Sequence, residues 1–239
     1  MAAELRFNAP LITHNGALLK YAESLETVAA SLLNLTTSEE IVRVGKEFGG
    51  DALVSVDPHG KGTLLYDKVS DDNIPLQKYV RWAKRLHGDD AEASILHVER
   101  LEDELAENQI IHISFSGCCA AMREMASVLR FELGDTVTIL ATIYEHLDFT
   151  LLDILPPNAS KGTGVAELAT INGLTQENVM AMGDNFNDLE MLEYAGTPVV
   201  MGNAADKLLA RAEFYTTLTN DESGVAAAIE RFILNGENN

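Results

Sequence analysis

The 239-residue chain carries 37 acidic and 17 basic side chains, a formal charge of −20, with 46% hydrophobic and 23% charged residues, so it reads as an ordinary water-soluble globular protein with enough length for a real core. The charge argues against nucleic acid and anionic membrane as partners, whose phosphates reward the opposite sign. No apolar run approaches the roughly eighteen residues of a membrane span, no signal-like start is present, and the two cysteines, Cys118 and Cys119, are adjacent and unsuited to bridging each other, which together predict a reducing, cytoplasmic setting.

Residues 9–13 are predicted to form a short apolar strand that Asn15-Gly16 turns. A helix is expected from Ser38 through Phe48, stopped by Gly49-Gly50. Two strands follow, Ala52 to Val56 and Thr63 to Val69, joined by the turn D-P-H-G-K-G at 57–62. Gly60 to Thr63 lacks the full spacing of a phosphate loop and sits in a hairpin, so it carries no such assignment. Pro75 to Leu86 reads as a helix in which Trp82 packs inward. Residues 94–98 and 110–115 are predicted strands. A helix from about Cys118 to Phe131 follows, placing Ala121, Met125, Val128 and Leu129 on one face toward a sheet. Thr136 to Tyr144 and Phe149 to Leu155 are β-rich. Asn34-Leu35-Thr36 and Asn158-Ala159-Ser160 match the glycosylation pattern by chance, since no secretory signal accompanies them. Asp135, Asp148 and Asp153 are expected to be turn or surface residues.

After Pro156-Pro157 the pattern alternates: helix 162–171, strand 178–182, helix 187–194, strand 198–201, helix 204–210, strand 213–216 and helix 223–233. That alternation predicts a doubly wound parallel sheet, with only the tail 235–239 disordered. Within it, A-M-G-D-N-F-N-D-L-E-M-L at 181–192 crowds Asp184, Asp188, Asn185 and Asn187 where a strand meets a helix. That is the edge at which open α/β sheets bind ligands. Such oxygen-bearing side chains can seat a hard cation such as Mg²⁺. Taken alone, the run reads more readily as a turn and a helix N-cap. Upstream, Ser160-Lys161-Gly162-Thr163-Gly164 opens another helix with a fixed cation at the same kind of edge.

A Lys-Gly helix start followed by a strand and G-D-x-x-N-D resembles the haloacid dehalogenase (HAD) superfamily of phosphatases. Gly196 to Ala204, Ala212 to Thr217 and Asp221 to Val225 extend the match to the Cof-type branch. Pro10-Leu11-Ile12-Thr13-His14-Asn15-Gly16-Ala17 resembles that branch's strand leading into its cap. The resemblance implies a Rossmann-like doubly wound core, N-terminally incomplete, made of residues 1–16 and 148–239, with an inserted α/β cap at 17–147. The cap would be a sandwich with one open face over the active site, and strand 149–155 would re-enter the core. By the same resemblance, Asp184 and Asp188 bind Mg²⁺, with Asp188 also orienting Lys161. Lys161 holds the nucleophile and a phosphate oxygen, and Asn187, Asn15 and Asn203 serve the substrate, a small phosphorylated metabolite such as a sugar phosphate.

The family pattern also opens with D-x-D-G-[TV], which supplies the nucleophile that becomes an aspartyl-phosphate, and no D-x-D-G occurs in this sequence. The expectation is therefore a chain inactive as written, its catalytic segment missing through start-site choice more readily than through evolved loss. The alternative is a non-catalytic relative that binds a phosphorylated ligand or a protein partner. The family's first two core strands would be absent with that segment. Strand 10–13 then closes onto strand 178–182, or another chain fills the slot, or the fold is marginally stable.

Overall fold

The computed structural model describes residues 9–87 and 94–236, and the chain divides into two compact units, 1–159 and 160–239. The first unit opens with β1 (Leu11–Thr13), β2 (Leu18–Lys20) and β3 (Thr27–Ala30), an antiparallel sheet in that order. The expected strand 9–13 therefore exists, but it pairs with β2 and is not part of the parallel sheet. The cause lies in His14, Asn15 and Gly16, whose φ values of 50°, 49° and 95° reverse the chain at once.

Next come α1 (Leu35–Glu47), β4 (Asp51–Val56), β5 (Thr63–Tyr66), α2 (Ile74–His87) and β6 (Ile95–His97). The unit ends with α3 (Leu101–Leu105), β7 (Ile110–Gly117), α4 (Cys119–Leu133), β8 (Thr138–Tyr144) and β9 (Phe149–Leu155). The six strands β4 to β9 form one sheet in the order β6-β5-β4-β7-β9-β8. On one face, Val54, Ile113, Phe115, Leu152 and Ile154 pack with Ile41, Met125 and Leu129 of α1 and α4. The other face is partly covered, because the alternate residues Leu53 and Tyr66 bury against Leu76, Val80 and Ala83 of α2.

Three expectations change here. Segment 149–155 pairs with β7 and β8, so it completes the six-stranded sheet where re-entry into the core was expected. Helix α1 starts three residues early because Asn34 caps it, its side-chain oxygen accepting from Thr37 N–H at 2.9 Å. Trp82 is 54% exposed and stands against Tyr79 without packing into the core.

The second unit holds β10 (Met180–Gly183), β11 (Thr197–Val200) and β12 (Tyr215–Thr216), parallel and adjacent in that order. Between and around them run α5 (Lys161–Ile171), α6 (Leu189–Tyr194), α7 (Asp206–Leu209) and α8 (Gly224–Ile229). Ala181 and Val200 bury with Leu192 and Leu208 on one face, while Val199 meets Ala228 and Phe232 on the other. Helices on both faces of a parallel sheet are what the alternating sequence predicts. Of the tail expected at 235–239, residues 237–239 lie outside the described residues.

Candidate active site

Strand β10 ends at Gly183 and the chain folds back within five residues. Asn185 caps a single 3-10 turn, Phe186–Asp188, its side-chain oxygen accepting from Phe186 N–H at 2.7 Å. Asp188 reaches back over that turn, and its Oδ2 accepts from the backbone N–H groups of Asp184 and Asn185, each at 3.0 Å. Only a glycine permits this at position 183, since a Cβ there would stand 2.4 Å from Asp188 Cβ. The Asp188 carboxylate is 5% exposed. Its other oxygen, Oδ1, accepts from Lys161 Nζ at 2.5 Å.

Lys161 is the first residue of α5, and its position is set by the helix start. Ser160 Oγ accepts from Thr163 N–H at 3.1 Å while Thr163 Oγ1 accepts from Ser160 N–H at 2.9 Å, a reciprocal cap. Gly162 lets α5 lie against α6, since a Cβ there would come within 2.7 Å of the Glu190 backbone. The K-G of one helix and the G-D-N-F-N-D of the next are thereby joined through one carboxylate.

The two aspartates have different surroundings. Both oxygens of Asp188 are engaged, by a lysine and two amides, so it fixes the loop and the cation. Asp184 is exposed, with Asn203 Nδ2 3.5 Å from its Oδ2. Asn203 is itself oriented by Asn220, whose backbone N–H donates to Asn203 Oδ1 at 2.9 Å. Asn187 is half-buried with no hydrogen bond among the described residues. Among those residues no group of three or more His, Cys, Asp and Glu side chains is placed to hold a metal. Asp184, an open carboxylate, is the residue that could hold Mg²⁺, which binds through one or two carboxylates and completes its shell with water and phosphate oxygens.

Asn15 belongs to the first unit and has a different partner. Its Nδ2 donates to Asp153 Oδ2 at 3.1 Å. Asp153 is 8% exposed in β9, where a turn or surface residue was expected. His112 Nε2 lies 2.9 Å from Ser114 Oγ and 3.7 Å from Asp153 Oδ1, and the His14 ring meets the His112 ring edge-on at 5.1 Å. Burial pushes both histidines down to about 4, with each other's proximity adding to the effect at His14. Burial raises the Asp153 carboxyl, against its hydrogen bonds from Ser114 and Asn15. Nothing in the sequence signals this cluster, since its members lie up to 139 residues apart.

A sequence model described as haloacid dehalogenase-like hydrolase matches residues 1–229. The chain belongs to that family. Among HAD relatives, it is 40% identical over 83 residues to the 5-amino-6-(5-phospho-D-ribitylamino)uracil phosphatase YwtE of Bacillus subtilis (strain 168), a match covering 35% of this chain and 29% of YwtE. The first curated relatives are matched over about 30% of their length or less. Among solved structures, a haloacid dehalogenase-like hydrolase from Bacteroides thetaiotaomicron has a TM-score of 0.77 at 24% identity, covering 97% of this chain and 80% of that one. A HAD subclass IIB sugar phosphatase has a TM-score of 0.71 at 21% identity, covering 97% and 78%. At these identities the likeness establishes the HAD fold with its cap, and the Cof-type signature of the sequence agrees with it.

Proposed function

We propose that this HAD chain is the metal-binding and cap-bearing part of a Mg²⁺-dependent Cof-type phosphatase acting on a small phosphorylated metabolite, such as a sugar phosphate. The observation that carries the proposal is the Lys161–Asp188–Asp184 linkage, in which one buried carboxylate presents a lysine and leaves a second carboxylate open. In this reading Asp184 is the metal ligand and Asp188 acts chiefly by holding Lys161 and the loop. Lys161 offsets the repulsion between an attacking carboxylate and a phosphate, Asn187 donates to the substrate, Asn203 shapes the pocket beside Asp184, and Asn15 is a further substrate residue. When bound, Mg²⁺ neutralises charge building on the transferring phosphoryl group. Residues 17–147 act as the cap and 1–16 with 148–239 as the core, except that 149–155 belongs to the cap's sheet.

The attacking carboxylate of the aspartyl-phosphate route has no counterpart in the 239 residues, which contain no D-x-D-G. Metal and lysine can bind phosphate without accepting it covalently. Loss of a nucleophile from groups acting as a unit costs up to about a millionfold in one protease, so this chain alone should have negligible turnover. The same fact keeps a second reading alive, a non-catalytic relative that binds a phosphorylated ligand or a protein partner. Free Cys118 and Cys119 suit the cytoplasm, where we place the protein. Among the described residues no helix is long and apolar enough to cross a membrane.

The test joins the chain in frame to an N-terminal segment carrying D-x-D-G-[TV] and assays p-nitrophenyl phosphate and a panel of sugar phosphates with Mg²⁺. Turnover that Asp184→Asn abolishes supports the phosphatase reading. Full activity in Asp184→Asn removes the metal assignment. Absence of turnover with retained affinity for a phosphorylated ligand favours the non-catalytic relative.

A further inference from the structure

At the end of the six-stranded sheet where β4 and β9 begin and β7 and β8 end, the first unit holds a cavity of about 380 Å³. Its walls come from four chain junctions: α1 to β4 at Gly49, the start of α2 at Asn73, β7 to α4 at Gly117, and β8 to β9 at Asp148. Cavities of this size accept small molecules. No residue assigned above to Mg²⁺, phosphate or substrate lines it, so the inference does not depend on the phosphatase reading.

Asp51 sets the chemistry of the cavity. It is 2% exposed at the first position of β4, an inner strand of the sheet, and it lines the cavity wall. Its Oδ1 accepts from Ser70 Oγ at 2.7 Å, and its Oδ2 accepts from Ser70 N–H and Asn73 Nδ2, each at 2.9 Å. All three donors are neutral, and Asp51 makes no ion pair among the described residues. Buried carboxylates are ordinarily paired with a positive group, because neutral hydrogen bonds leave their net charge in place.

A second buried group beside it is half used. Ser116, 3% exposed and also lining the cavity, accepts from Asn73 Nδ2 at 2.9 Å, but its own hydroxyl proton has no acceptor among the described residues. Two further carboxylates, Asp72 and Asp148, line the same cavity and are exposed, and no Lys, Arg or His joins them there among the described residues. Phe48, Met122, Leu147 and Phe149 supply apolar wall.

We propose that this cavity binds a small amino alcohol with an apolar body. The ammonium lies toward Asp51 and gives the buried carboxylate the counter-charge that the chain does not supply, while Asp72 and Asp148 add attraction from the exposed side. The alcohol oxygen accepts from Ser116. The apolar body packs among Phe48, Met122, Leu147 and Phe149, two of which carry rings that attract a cation as well as a hydrocarbon. Charge excludes the alternatives: an anion would meet three carboxylates and no basic group, and a purely apolar ligand would leave the Asp51 charge unmet. A bare metal ion fits no better, since no three ligating side chains converge among the described residues.

Isothermal titration of the full chain with phenylethanolamine, and with phenylethanediol, in which a hydroxyl replaces the ammonium, tests the site. The amine should saturate a single site and bind about tenfold or more tighter than the diol, with affinity falling as salt is added. Asp72→Asn combined with Asp148→Asn should weaken the amine about tenfold and leave the melting temperature of the free chain unchanged. Asparagine at 148 keeps an oxygen to accept from Cys119 N–H and tolerates the φ of 44° found there. On the parent chain the amine should slow alkylation of Cys118, which lines the cavity, and leave Cys119, which does not, at its free rate. No saturable binding of the amine, equal affinity for amine and diol, an affinity unmoved by the double variant, or an alkylation rate of Cys118 unmoved by the amine would overturn the proposal. If the double variant fails to fold, the comparison of amine and diol on the parent decides.

Discussion

Lys161 Nζ lies 2.5 Å from Asp188 Oδ1 across 27 residues of sequence, and the same carboxylate holds the backbone of Asp184 through its other oxygen. One side chain therefore sets both the cation that starts α5 and the acidic residue at the tip of β10. That economy makes Asp188 the position whose loss should be felt most widely.

Asp188→Ala would leave Lys161 and two backbone N–H groups without their acceptor at a buried position. The expected cost is about 2 to 4 kcal/mol of unfolding free energy, from lost charged hydrogen bonds and unsatisfied donors. Urea denaturation measures it, and a change within about 0.5 kcal/mol, the range of an ordinary surface substitution, would contradict the geometry.

Asp184→Asn should behave in the opposite way. Asp184 is exposed, so stability should stay within about 0.5 kcal/mol of the parent. Mg²⁺ should raise the melting temperature of the parent, since binding to the native state alone stabilises it, and that rise should disappear in the variant. A Mg²⁺-dependent shift that survives the substitution would place the cation elsewhere.

Acid should weaken the first unit before carboxylates titrate. His14 and His112 bind a proton in the folded state only near pH 4, against 6.5 in the unfolded chain. Folded groups with lowered values contribute stability above pH 6.5 that is lost as pH falls toward 4. The loss is at most about 3.5 kcal/mol for each histidine, at about 1.4 kcal/mol per tenfold change in proton affinity. Asp153, whose value is raised, acts oppositely: its contribution is present at low pH and lost as pH climbs through its folded value. Comparing urea midpoints at pH 7.5 and 5.5 isolates the histidines, and His112→Phe should flatten the difference. An unchanged midpoint between these pH values would refute it.

Gly183→Ala should be costly despite the small side chain. The added methyl would lie 2.4 Å from Asp188 Cβ, so the loop must shift and the Lys161 contact with it. Overpacking of this kind costs about 1 to 3 kcal/mol. Thermal denaturation reads the loss, and a melting temperature equal to the parent's would show that Asp188 does not crowd position 183.

The second unit was largely legible in the sequence, because its elements are made from local signals. Apolar runs at 178–182 and 198–201 alternate with helical patterns, Ser160 and Thr163 announce a helix start, and G-D-N-F-N-D announces a strand-to-helix turn. Lys161, Asp184 and Asp188 were nominated on those grounds together with the HAD resemblance, and the fold brings Lys161 and Asp188 into contact. Composition and motif thus determined the fold class, the family and the residues worth watching.

Partnership between distant segments was decided by tertiary structure alone. Strand propensity says that 11–13 and 149–155 are extended, but not which neighbour they choose. The positive φ run at His14 to Gly16 sent the first to β2, and burial of Leu152 and Ile154 sent the second into the six-stranded sheet. Asn15 reads in the sequence either as a substrate residue or as turn chemistry, and its acceptor proves to be Asp153, 138 residues away. Two aspartates four residues apart were indistinguishable as letters. Burial separated them, since desolvation demands that Asp188 be paired while Asp184 stays open to solvent.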